Sequence, residues 1–105
     1  MANLKFTPQS FTAADSVLSF RDQVKIGHNT ELVRAADGSI YATYHGNRIV
    51  HYTTDGVFAT YAGWATSTTT NRLNQLAPAQ FNIKGREPHI NGKPMDDWSG
   101  WVKVS

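Results

Sequence analysis

The sequence predicts an α+β fold: a four-stranded antiparallel meander extended by C-terminal strands, with one or two short helices. Three observations predict it. Asp37-Gly38 and Asp55-Gly56 are two-residue hairpin signals, because the tightest reversals need positive φ at their centre. Gly46-Asn47 lies between them with Gly first, as a type II′ turn requires. The segments around these pairs, 31–36, 39–45, 48–54 and 57–62, are rich in Tyr, Val, Ile, Thr and Phe, which suit a pleated, half-buried surface.

Residues 1–27 read as an irregular segment followed by a short helix. Pro8 is a breaker, and Thr12 reads as an N-cap with Asp15 in the first turn. Val17, Leu18 and Phe20 give the helix an apolar stripe. Gly27-His28-Asn29 breaks the pattern, and the meander fills 28–64.

Two-residue turns fix register. They place Arg34 opposite Tyr41, Tyr41 opposite Tyr52, and Tyr52 opposite Ala59. Tyr41, Tyr52, Tyr61, Arg34, Arg48 and His45 then share one face. Ile40, Ala42, Ile49, Val33 and Phe58 share the more aliphatic face, which is assigned to the core.

The segment 65–78 begins with the hydroxyl run Thr66-Ser67-Thr68-Thr69-Thr70. Thr69 or Thr70 reads as the cap of a helix over roughly 69–77, with Leu73 and Leu76 on one side and Pro78 as its stop. In 79–105, Phe81-Asn82-Ile83 alternates as a strand does. Asn91-Gly92 marks a hairpin, Pro94 an edge, and Trp101–Val104 a last strand. No repeat or linker interrupts the chain, so 1–105 reads as a single domain.

The 105 residues include no cysteine, which excludes disulfides, thiolate metal sites and cysteine nucleophiles. Ten Lys+Arg against eight Asp+Glu argue against both an acidic DNA mimic and a polycation. No apolar run reaches the ~18 residues of a membrane span, and the start lacks a signal-peptide core. Membrane is therefore not an expected partner.

Catalytic signals are sparse. His28, His45, His51 and His89 show no metal-ligand spacing, and Asp96-Asp97 are neighbours that point apart in an extended segment. No Gly-x-Ser-x-Gly elbow, P-loop or dinucleotide fingerprint occurs. No catalytic residue, metal or cofactor is expected, and a small enzyme is the weakest of the readings.

Binding chemistry is better represented. Bases stack on aromatic rings and arginines hold phosphates, so Tyr41, Tyr52 and Tyr61 with Arg34 and Arg48 form a candidate nucleic-acid face. Thr70 and Arg72, at the start of the second helix, would add an anion contact. Trp98 and Trp101 form a candidate anchor for a protein partner. An exposed edge strand leaves both monomer and homodimer open.

His28-Asn29-Thr30-Glu31-Leu32, Tyr44-His45-Gly46-Asn47-Arg48-Ile49-Val50, Asp55-Gly56 and the run Gly63-Trp64 to Asn74 together resemble a family of small tailed-phage proteins. The pattern covers about residues 28–74, and its Trp64-to-Arg72 segment is a variant. The resemblance implies a phage origin and a compact β-rich domain, and the expected location is the host cytoplasm. It lends no catalytic residues. The expected function is that of a non-catalytic accessory protein binding nucleic acid through the Tyr/Arg face. The alternative is an inhibitor docking on a host protein, in anti-defence (for example anti-CRISPR) or host takeover.

Overall fold

The computed structural model describes residues 4–105. Its α+β architecture holds two helices and two antiparallel sheets. Five consecutive strands, β1 (Gln23–Gly27), β2 (Thr30–Arg34), β3 (Ile40–Tyr44), β4 (Asn47–Thr53) and β5 (Gly56–Ala59), form a meander. The last strand, β9 (Val102–Lys103), closes it against β5 as a sixth member. A separate hairpin sheet comprises β6 (Phe81–Lys84), β7 (Glu87–Ile90) and β8 (Lys93–Pro94). Asn91-Gly92 turns the chain from β7 to β8 with both residues at positive φ. Pro94 sits on the edge strand, where its missing N–H costs no ladder bond.

Helix α1 (Phe11–Leu18) starts two residues earlier than its sequence signals indicate. Ser10 is the cap, accepting a hydrogen bond from the Ala13 amide, so Thr12 lies inside the helix. Helix α2 (Ser67–Leu76) likewise begins sooner, with the Thr66 hydroxyl accepting from the Thr69 amide. The hydroxyl run is thus mainly a helix start, its first member satisfying a donor that would otherwise lack a partner. Strand β1 carries no sequence signal strong enough to separate it from the irregular segment. Its pairing with β2 extends the meander at the other edge.

Register departs from expectation along the whole meander, and two of the departures change the faces. The first connection is a three-residue loop, Ala36–Gly38: Ala35 donates to the Ser39 carbonyl, and Arg34 pairs with Ile40. Gly38 takes φ 89 there, the left-handed position that closes such loops. The second turn is His45-Gly46, both at positive φ, so Tyr44 pairs with Asn47. A bulge then follows. Thr43 pairs with Arg48 but Ala42 pairs with Val50, leaving Ile49 as the extra residue. Both Ile49 and Val50 are buried. The bulge turns two successive aliphatic side chains inward, which a regular strand cannot do. The third turn is Thr54-Asp55, with Thr53 paired to Gly56. It slides the strand by an even step and leaves the faces as expected.

The core therefore lies under Leu32, Ile40, Ala42, Val50, Tyr52, Val57 and Ala59, packed against Ala14 and Leu18 of α1 and Leu73 and Leu76 of α2. Both helices pack on this one face.

Candidate functional site

The opposite face of the large sheet carries no helix among the described residues. Cross-strand pairing runs Gln23, Val33, Tyr41, His51, Phe58, Lys103 along one row, with Lys25, Glu31, Thr43 and Arg48 in the next. Tyr41 and His51 stack with ring centroids 4.0 Å apart and planes within 7°. Trp101 leans over both, at 6.1 Å and 6.0 Å, and Phe58 lies 6.3 Å from His51. The Arg48 guanidinium sits 4.1 Å from the centre of the Tyr41 ring, close enough for a cation–π contact. Lys25, Arg48 and Lys103 are exposed, and Glu31 is the one acid in these two rows.

A polar chain anchors this aromatic row at one end. Ser39 Oγ donates to Asp37 Oδ1 at 2.6 Å, and His51 Nε2 lies 2.9 Å from the same hydroxyl. Because the serine proton is committed to the carboxylate, Nε2–H must be the donor to Ser39. Burial holds the His51 imidazole below its ordinary range, with Arg48 acting in the same sense and Asp37 opposing. The Ser39 hydroxyl, then its amide, hold the Asp37 carboxyl below its ordinary value. An imidazole that donates to the hydroxyl cannot take its proton, so the trio orients a ring and does not activate a nucleophile.

The bulge and the three-residue loop split the residues expected on one face. Tyr41 and Arg48 are on the outer face. Tyr52 and Tyr61 are on the core face, each 0% exposed. The Tyr52 hydroxyl reaches the carbonyls of Pro8 at 3.0 Å and Leu76 at 2.5 Å, and burial drives its pKa far above the phenolic range. Tyr61 pairs with the Thr70 hydroxyl at 2.8 Å, and burial raises its pKa too.

Arg34 turns toward α1, where it binds Asp15 at 2.7 Å. Arg72 is buried: its Nε donates to Thr30 Oγ1 at 2.9 Å, and its guanidinium lies 5.2 Å from the Tyr44 ring centre. Thr70 spends its proton on the Thr66 carbonyl. The anion contact expected from Thr70 and Arg72 is therefore not assembled, since both side chains are engaged inside the fold.

Trp98 and Trp101 flank a loop that is tied down twice. Asp97 accepts from the Ser99 amide and hydroxyl, which holds its carboxyl below the ordinary value. The Trp98 carbonyl accepts from the Gly63 amide and the Thr60 hydroxyl. Trp101 thereby joins Tyr41, so the two surfaces read separately from the sequence touch. His51, Phe58 and Lys103 were missing from the sequence-based site. For His51 and Phe58 the adjacent aliphatics Ile49-Val50 were the signal, because turning both to the core takes a bulge; Lys103 had none, since it arrives on β9 from a distant part of the chain.

Among the described residues no group of His, Asp or Glu is placed to hold a metal ion. No helix is long and apolar enough to cross a membrane.

The fold defines a small α+β protein whose large sheet has one face free of helices among the described residues. A family model described as Kyanoviridae Gp96 protein matches residues 8–93, and the chain belongs to that family. No curated protein and no solved structure matches it.

Proposed function

We propose that this phage protein is a non-catalytic accessory protein that binds single-stranded nucleic acid, inside the host cell, across the outer face of its large sheet. The observation that supports this reading is the placement of both helices on the core face. It leaves Tyr41, His51 and Trp101 at the surface, bordered by Arg48, Lys103 and Lys25. Rings supply stacking surface and the cations supply phosphate contacts. Trp101, 44% exposed, offers the more open ring, because Tyr41 already carries His51 and Arg48 against it. A modest number of cations fits a site of a few nucleotides better than a packaging role.

Anisotropy of labelled single strands tests it. Binding should weaken as salt rises. Trp101→Ala should weaken it by roughly five-fold or more, and Lys103→Ala should lower the salt slope. Absence of binding at low salt would refute the proposal. A second reading has its own observation: Trp98 and Trp101 stand exposed at the two ends of a turn that Asp97 and Thr60 hydrogen-bond, as a protein-docking anchor would. It predicts a host protein captured by the parent and released by Trp98→Ala, with no dependence on Lys103.

A further inference from the structure

A cleft of about 310 Å³ opens at the core-face edge of the sheet, beside the β3–β4 hairpin. Its apolar wall is Tyr44, Ile49, Tyr61 and Trp64. His45, Asn47 and the hydroxyls of Thr66, Thr68 and Thr69 edge it. We propose that this cleft is a second binding site, and that it takes a nucleobase.

Three observations support the assignment. First, the rigid walls are set before any ligand arrives. Arg72, itself fixed by Thr30, backs the Tyr44 ring, and the Thr70 hydroxyl holds Tyr61. Second, Trp64 is 60% exposed although it adjoins an apolar hollow. The chain presents it through a reversal at Ala62 and Gly63, with Ala62 at φ 53. A non-glycine residue in that region costs of order 1–3 kcal/mol, and the core gains nothing from a tryptophan left in water. Third, the lining contains no carboxylate, lysine or arginine, and its one imidazole, His45, lies against the Tyr44 ring with centroids 4.4 Å apart. A neutral, flat, ring-shaped occupant suits such walls. Asn47 and the threonine hydroxyls offer both donors and acceptors to the polar edge that a nucleobase has and a plain aromatic ring lacks. A sugar would call for carboxylates or several amides to hold its hydroxyls, and the lining has one amide.

The base could belong to a free nucleoside or to a single strand. The cleft lies on the other side of the sheet from Tyr41 and Trp101, so the proposal stands apart from the outer-face reading. The test uses the full chain with Trp98→Phe and Trp101→Phe, leaving Trp64 as the sole indole. Its fluorescence is titrated with adenosine, with uridine and with a short oligonucleotide. Saturable quenching by a nucleoside supports the free source, and quenching by the oligonucleotide alone supports the strand. Direct binding, measured by equilibrium dialysis of the parent and of Trp64→Ala, should fall roughly five-fold or more in the variant. Asn47→Ala should narrow the preference between the two nucleosides. The quenching is read in a chain whose outer face has lost its open indole at 101, which separates failure here from failure of the outer face. No quenching by any of the three ligands, or equal binding by Trp64→Ala, would overturn the proposal.

Discussion

On the core face Tyr52 is sealed, and its hydroxyl reaches carbonyls from two segments outside the sheet. On the outer face Tyr41 is half-buried, and its neighbours His51 and Arg48 both come from the adjacent strand. The same residue type on adjoining strands thus does two jobs. Tyr52 ties helix α2 and the N-terminal segment to the sheet, so its value is structural. Tyr41 touches only its own sheet and Trp101, so its value lies in what it offers to solvent. Chemistry alone does not distinguish the two rings. The single extra residue at Ile49 decides which of them is inside.

Several substitutions would break or sharpen that contrast. Tyr52→Ala empties a buried aromatic site and should cost about 3–5 kcal/mol in urea denaturation. Tyr52→Phe, leaving only the two carbonyls without their donor, should cost about 1–3 kcal/mol. If Tyr52→Ala were tolerated as easily as Tyr41→Ala, the assignment of faces would be wrong. Arg72→Met removes a buried donor from Thr30 and should cost about 1–3 kcal/mol, which an anion-binding arginine at the surface would not. Thr66→Ala deletes the α2 cap and should cost about 1 kcal/mol. The corresponding change at Thr68, which caps nothing, should be close to silent. Tyr41→Ala should cost less than about 1 kcal/mol while weakening oligonucleotide binding.

The smallest effect concerns pH. His51 binds its proton less tightly in the folded state than in the unfolded chain, so unfolding takes up a proton as the pH drops. Its contribution is complete above the ordinary imidazole value of about 6.5. It is lost as the pH falls through the lowered folded value. His51→Gln should flatten that part of the stability profile, and an unchanged slope would show that His51 is not its source.

Much of the fold was legible in the residues. The Asp-Gly, Gly-Asn and Asn-Gly pairs marked the reversals, the β-branched and aromatic runs marked the strands, and Leu73 with Leu76 marked the second helix. Which side each strand showed was not legible to the same degree, because a face assignment inverts with one residue of slip. Asp37-Gly38 is compatible with both a two- and a three-residue loop. Ser39 decides between them, since its amide and hydroxyl both reach Asp37. Arg72 illustrates a different limit. At helical spacing it read as an outward residue, yet its stem and guanidinium fill the space beneath Tyr44 and Thr30. Only the packing of α2 on the meander reveals that. Trp101 read as a separate patch because nothing in the local sequence says that β9 returns to β5.

Strands β1 to β5 pair in the order in which they are synthesised, joined by short reversals. Each new strand finds its template already beside it, so little chain entropy is lost per closure. Such a sheet should assemble quickly for an all-antiparallel structure. The exception is β9, which must cross a helix and a second hairpin to reach β5. The seam between β5 and β9 should therefore be the last ladder to zip and the first to open in hydrogen exchange, and Trp101 rides on it.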